Sequence, residues 1–294
     1  MKLVMTLLVR DEVDIIAANL DFHLSRGVDF FIACDNLSKD GTADVLRRYE
    51  ARGLLHYLRE SGDDFAQHRW VTRMARLACS DFGADWVINN DADEFWYPHR
   101  GTLKDVLRAV RATAKAVIAP RENFVARPMR PDDFFAEVLT VRERVAHNFI
   151  GQPLPPKVCH RGFPDIEVEQ GNHSVMLAGE PLSGVRAPIS VFHFPIRGRA
   201  QFTEKVRNAG SGYAKTPTLD ASVGHVKRHL YDLYLRGELD VYYDSVLVDD
   251  ARLRAGLADR SLVSDHRMQT AFRTLESGPS RWSKFTSWMG IARR

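Results

Sequence analysis

The sequence predicts an α/β protein: a mostly parallel sheet flanked by helices, with a helical region at its C-terminal end. Three observations carry this reading. Strand-like and helix-spaced runs alternate through the first hundred residues, the pattern of a parallel sheet with helical crossovers. The strand-like runs are apolar throughout rather than alternating, as strands covered on both faces are. Polar clusters follow three of those runs, at the edge where an open parallel sheet binds its ligands.

Leu3–Val9 reads as the first strand. It is short, lacks a small-residue cleavage site and is cut off by Arg10-Asp11-Glu12, which argues for a buried strand over a targeting segment. Val13, Ile16, Leu20 and Leu24 then follow helical spacing, and Gly27 supplies a stop. Residues 30–34 form a second strand, followed by a polar loop, Asp35-Asn36-Leu37-Ser38-Lys39-Asp40-Gly41-Thr42. Asp40 or Thr42 can cap a helix carrying Val45, Leu46 and Tyr49. Residues 54–58 form a third strand. Asp63 or Asp64 can cap a long helix with Val71, Met74, Ala75 and Ala78 on one face. Trp86–Asn90 is a fourth strand, running into Asp91-Ala92-Asp93-Glu94, and a helix over 102–111 and a strand at Ala116–Ala119 follow. Residues 120–195 hold ten of the 13 prolines, with short β-like runs at 138–141, 157–159, 173–177 and 189–194. This composition predicts irregular sheet and loops around a pocket. From Arg199 the pattern is helical, with Phe202, Val206 and Ala209 on one side.

Composition narrows the class. Lys plus Arg number 41 against 38 Asp plus Glu, a net charge of +3, which argues against a dedicated nucleic-acid binder. With 45% hydrophobic and 27% charged residues the chain is globular rather than disordered. No apolar run approaches the roughly 18 residues of a transmembrane helix. Cys34, Cys79 and Cys159 are odd in number and far apart, so neither a disulfide framework nor a CxxC metal site is expected. A reducing, cytoplasmic compartment is the simplest inference. In residues 281–294, Trp282, Phe285, Trp288 and Met289 share a helical face with basic residues around it. This segment reads as a terminal helix packed on the domain, or as an interfacial helix touching the inner face of a membrane.

The chemistry lies in the three strand-end clusters. Asp91 and Asp93 sit two apart at a strand end and so point to one side. Paired carboxylates make an oxygen site for Mg²⁺ or Mn²⁺, which in turn can hold a diphosphate; the bland alternative is a solvated acidic loop. Asp35 and Asn36 suit a ribose or base, or an Asx turn. Arg10 suits a phosphate, or pairing with Asp11 or Asp14. Trp96 offers a platform for a sugar ring, or a core anchor for its loop. His173 suits the donor sugar or acceptor, or a backbone carbonyl. Walker, Gly-x-Ser-x-Gly and Gly-x-Gly-x-x-Gly motifs are missing from the sequence.

Leu8-Val9-Arg10-Asp11-Glu12, the Asp35 to Thr42 loop, and Trp86-Val87-Ile88-Asn89-Asn90-Asp91-Ala92-Asp93-Glu94-Phe95-Trp96 together resemble the family-2-type glycosyltransferases of the GT-A fold. The Asp-Ala-Asp-Glu-Phe variety is related to the family-92 branch. The resemblance is strong over residues 3–98 and weaker over His193-Phe194-Pro195-Ile196-Arg197 and Phe202-Thr203-Glu204-Lys205-Val206. It implies a GT-A domain over residues 1–198 and a helical region, 199–294, closing or covering the site. It implies transfer from a nucleotide sugar, a UDP-sugar above all, to a hydroxyl of a glycan or glycolipid, with inversion and with Mn²⁺ or Mg²⁺. By position, Val9, Arg10, Glu12, Asp35 and Asn36 would hold the nucleotide. Asp91, Asp93 and His193 would hold the metal, and Lys157, Arg197 and Lys205 the diphosphate. The Glu-Asp pair that supplies the base in many family-2 enzymes is not recognisable. An inverting transfer needs a carboxylate to accept the acceptor proton, and Asp165, in the Pro-rich segment, is the candidate, beside Asp93 as the catalytic acidic residue of the motif. Two rivals remain. A nucleotidyltransferase would call for a Gly-rich phosphate loop after the first strand. A silent glycan-binding domain would keep the fold and show no turnover.

Overall fold

The computed structural model describes residues 1–62, 67–130, 132–215 and 224–277. The expected cap at Asp63 or Asp64 and the expected amphipathic helix within 281–294 lie outside the described residues.

The predicted alternation is present: β1 (Leu3–Val9), α1 (Ile16–Ser25), β2 (Phe30–Asn36), α2 (Thr42–Ala51), β3 (Leu55–Glu60), α3 (Gln67–Ser80) and β4 (Trp86–Asn90). Then come β5 (Glu94–Pro98), α4 (Leu103–Ala109) and β6 (Ala116–Ala119). The Pro-rich stretch contributes β7 (Arg121–Asn123), α5 (Phe135–Val138), β8 (Val141–Glu143), β9 (Lys157–Arg161), β10 (Ile166–Val168), β11 (Val175–Leu177), β12 (Glu180–Pro181), β13 (Gly184–Arg186) and β14 (Ile189–His193). The chain continues through α6 (Arg199–Ala214), α7 (His225–Leu235), α8 (Leu239–Val246), α9 (Asp250–Ala258), β15 (Leu262–Ser264) and α10 (Arg267–Ser277).

Seven strands make the main sheet in the order β13-β6-β9-β4-β1-β2-β3. The pairs β1–β2, β2–β3, β1–β4 and β13–β6 are parallel, and only β9 runs against its neighbours. The fold is therefore a mostly parallel α/β sheet flanked by helices, as predicted. The chain steps outward from β1 to β3, then returns through α3 to β4 on the other side of β1. Progress along the sheet reverses between β1 and β4, so the loops leaving those two strands diverge and open a crevice. The antiparallel course of β9 matters equally: its first residue, Lys157, lies at the carboxyl edge of the parallel strands, and the chain leaves it at the amino edge.

Two local expectations are corrected. The β-like run at 138–141 is split: α5 ends at Val138 and the strand begins at Val141. Phe135 is drawn into an aromatic core, with ring centroids 4.9 Å from Phe194 and 5.5 Å from Phe95, and that burial overrides local strand preference. The region after residue 198 is not purely helical. α6, α7 and α8 share an apolar cluster around Phe202, Val206, Leu230 and Tyr243. The chain then returns to the main body, where β15 pairs with β8 and Phe272 of α10 joins the central core.

Inside that core a buried carboxyl carries a pH signature. Asp21 accepts a 2.6 Å hydrogen bond from the Tyr49 hydroxyl. Burial pushes its pKa up to about 6 against the opposing pull of that hydrogen bond and of Arg52. A folded-state pKa above the unfolded one favours the protonated native state. Its contribution is therefore complete below about pH 4 and is lost as pH rises through about 6, at up to about one proton per molecule. In urea melts, Asp21→Asn is expected to flatten this part of the stability curve, and an unchanged slope would refute the assignment.

Candidate active site

At the crevice between β1 and β4 lies a cavity of about 680 Å³, within the range of small-molecule and cofactor sites. Leu8, Val9, Arg10 and Glu12 line it from the β1 loop, and Asp91, Ala92, Asp93 and Glu94 from the β4 loop. The wall between β7 and β9 supplies Arg121, Asn123, His147 and Phe149, while α6 and α7 supply Lys205, Asn208 and Lys227.

The acidic turn is held from beneath by a buried polar network. Asn19 of α1 donates to the carbonyls of Ala92 and Glu94, both at 2.8 Å. Asn90 donates to the Glu94 carbonyl at 3.0 Å and accepts from the Trp96 indole N–H at 3.1 Å. His23 accepts the Trp96 backbone N–H at Nε2, and burial lowers its pKa to about 3, keeping the ring neutral. These bonds satisfy backbone groups that the tight turn would otherwise leave unpaired in the core. They also correct one expectation: Trp96 is fully buried and ties the loop to α1 rather than offering a platform to a sugar.

Above the network each carboxylate of the motif meets a lysine. Asp91 Oδ2 lies 2.6 Å from Lys157 Nζ, and its Oδ1 accepts from Asn172 at 3.2 Å. Lys157 is almost fully buried, 3.0 Å from Glu94 Oε2, and donates to the Gly171 carbonyl at 2.9 Å. Asp93 Oδ2 accepts from Lys205 Nζ and lies 3.5 Å from His193 Nε2. The other His193 nitrogen, Nδ1, faces Asn123 Oδ1 at 2.9 Å. Burial alone would push both carboxyl pKa values up. Lys157 nevertheless holds Asp91 below the usual carboxylate value, and Lys205 followed by His193 holds Asp93 well below it. Against the same desolvation, Asp91 and Glu94 raise Lys157, and Asp93 and Glu12 raise Lys205. The two sides of each pair agree: these are closed ion pairs.

That closure bears on the expected metal. Both oxygens of Asp91 are engaged, and the Asp93 oxygen nearest His193 already carries Lys205. A divalent cation there would have to displace two ammonium groups and lie close to a third, Lys227. Among the described residues no group of three or more His, Cys, Asp or Glu side chains is disposed to hold a metal. As arranged, Asp91, Asp93 and His193 do not fit Mn²⁺ or Mg²⁺.

The remaining expected residues divide. Val9, Arg10, Glu12, Asn36 and His173 line the cavity. Asp35 does not; it is buried, accepting from the Ser38 N–H and the Tyr57 hydroxyl. Arg197 lies below the site, donating to Glu12 at 2.7 Å, to Asp14 at 2.6 and 2.9 Å, and to the Phe194 carbonyl at 3.0 Å. It is a clamp on the β1 loop, with no donor directed at a diphosphate. Asp165 is exposed and follows β9, where Gly162 bonds back to Asp85 at the amino edge of the sheet. The antiparallel strand thus carries it to the edge opposite the cavity, which removes it as the base. Sequence reasoning did not single out Arg121, Asn123, His147 and Lys227. Short irregular strands and a helix far along the chain bring them in, and no motif marks them. Gln67, at the start of α3, lines the cavity and accepts from Gln170 at 3.1 Å.

No protein-family model matches the chain, and no curated protein matches its sequence. Among solved structures it is similar to residues 1–349 of Staphylococcus aureus TarS, with 12% identity and a TM-score of 0.43 over 72% of this chain and 65% of that one. The same fragment in complex with UDP-GlcNAc gives 13% identity and a TM-score of 0.41 over 72% and 66%. The mannosyltransferase PcManGT from Pyrobaculum calidifontis, in complex with GDP-Man and Mn²⁺, gives 16% identity and a TM-score of 0.40 over 98% and 84%. The chain thus spans just under two thirds of the length of the TarS fragment. No described helix is long and apolar enough to cross a membrane.

Proposed function

We propose that this protein is a glycosyltransferase that moves a sugar from a nucleotide-sugar donor, of the UDP type, to a hydroxyl of a glycan or glycolipid with inversion. The observation that carries the proposal is the convergence of the β1 loop, the Asp91–Asp93 turn and the Lys157 and Lys205 side chains on one cavity at the sheet's switch point. Such crevices take nucleotides with the phosphates at the strand ends. Val9, Arg10 and Asn36 line the part of the cavity suited to the nucleoside, and the lysine-bearing end suits the diphosphate.

In the transfer, the acceptor oxygen bonds to the anomeric carbon as the bond to the diphosphate breaks. The electron pair stays on the diphosphate oxygen, and the acceptor proton passes to a base. Cations fixed at the leaving group stabilise charge that grows in the transition state and so act on turnover as well as binding. The Mn²⁺ or Mg²⁺ expected from the resemblance is left out of this reading, since lysines hold the carboxylates that would bind it.

The test is release of UDP from a panel of UDP-sugars, with and without simple glycoside acceptors, followed by the same panel of GDP-sugars. Acceptor-stimulated release from one donor supports the proposal. Well-folded protein that binds neither UDP nor GDP in calorimetry, and turns over no donor, would leave the reading without support and favour a silent glycan-binding domain.

A further inference from the structure

The closed ion pairs of the acidic turn raise the question of what neutralises an incoming diphosphate. Lysines from three separate elements meet at this end of the cavity: Lys157 from β9, Lys205 from α6 and Lys227 from α7. They differ in what they can offer. An ammonium has three N–H donors. Lys157 is almost fully buried and surrounded by three acceptors, Asp91, Glu94 and the Gly171 carbonyl, so its donors are used within the protein. Lys205 is about a third exposed, at 34%, with Asp93 on one side and the open cavity on the other. Lys227 is exposed to the same cavity. Nearby carboxylates, Glu12, Asp91, Asp93 and Glu94, are already matched by Arg197, Arg121, Lys157 and Lys205, and Lys227 adds a further cation. A dianion entering this end meets ammonium groups, whereas a free dication meets repulsion from them.

We propose that this site binds the diphosphate of its donor directly through the ammonium groups of Lys205 and Lys227, with Asp91 and Asp93 aiming lysines rather than coordinating a metal. The inference rests on the donor reading above and sharpens it. Asp93 fixes Lys205 from one side and leaves the rest of the ammonium turned to the cavity. Asp91 and Lys157 form the rigid floor under it, together with Asn172. When the glycosidic bond breaks, the added charge on the diphosphate oxygen is stabilised by N–H donors already positioned at that end of the cavity. This arrangement makes an otherwise metal-binding type of motif serve a metal-free site.

The experiment is calorimetric titration of the full chain in EDTA with UDP and, separately, with inorganic pyrophosphate. The UDP titration is then repeated with Mn²⁺, and Mn²⁺ binding to the protein alone is read from the free-ion EPR signal. The expected result is UDP and pyrophosphate binding in EDTA, a UDP affinity that Mn²⁺ changes by less than about threefold, and no loss of the free Mn²⁺ signal. Lys205→Met and Lys227→Met are each expected to weaken both ligands by about ten- to a hundredfold. Lys205→Arg should retain most of the affinity, which separates loss of the cation from loss of the fold. UDP binding that needs Mn²⁺ and survives both lysine changes would overturn the proposal. Pyrophosphate that binds through Lys205 while every nucleotide fails would keep the cationic site and overturn the donor reading. Failure of both ligands in EDTA would overturn the cationic site.

Discussion

Arg197→Met is expected to lower stability by about 3–5 kcal/mol, the usual cost of leaving buried charge unpaired. The guanidinium is 2% exposed and donates to Glu12, to both oxygens of Asp14 and to the Phe194 carbonyl. Removing it strands the mostly buried Glu12 carboxylate under the β1 loop, whereas Asp14 stays open to water. Glu12 is already strained in this sense. Burial pushes its pKa up to about 7 even with Arg197 and Lys205 pulling it down. A raised folded-state pKa means that the native state gains stability below the unfolded value and loses it as pH rises. The variant's deficit should therefore shrink at about pH 5, where Glu12 is protonated, and widen at about pH 8. Thermal melts at the two values check this. A fall of roughly 5–15 °C is expected at the higher pH, and a deficit that grew on acidification would refute the clamp.

Asp93→Asn is expected to reduce nucleotide-sugar turnover by about 10²-fold, the scale associated with losing one preorganised electrostatic contact. The substitution removes the partner that holds Lys205, and Lys205 is exposed enough to turn toward water. The fold should survive, because the Asn19, Asn90 and His23 network under the turn is untouched. The loss should appear mainly in kcat/KM, and added Mn²⁺ should not restore it. A variant that lost activity only because its melting temperature collapsed, or that regained wild-type turnover with Mn²⁺, would contradict this role.

These expectations draw on residues of very different legibility. Asp91 and Asp93 were visible as a pair because they follow the strand run Trp86–Asn90, and strand geometry places positions two apart on one side. Arg10, Glu12 and Asn36 were visible because parallel topology gathers strand ends, and Val9 entered with them through resemblance. His193 and Lys205 entered only through resemblance, and the structure brings both to the Asp93 carboxylate. Arg197 was placed at the diphosphate by resemblance, and Trp96 was offered as a sugar platform or a core anchor. Residue type alone does not report burial, and both side chains spend their polar groups inside the protein.

The sequence by itself determined the alternation of β1 to β4 with their helices, the parallel sheet they build and the edge at which the cavity opens. Those features follow from local periodicity and short-range connection rules, which any stretch of the chain carries within itself. Only the tertiary structure decided the rest. The reversed direction of β9 brings Lys157 to Asp91 and sends Asp165 to the far edge. α6 and α7 deliver Lys205 and Lys227 from more than a hundred residues beyond the acidic turn. Whether a carboxylate faces a metal or a lysine depends on such long-range placements, because charge pairing is set by distance in space and leaves no period in the sequence.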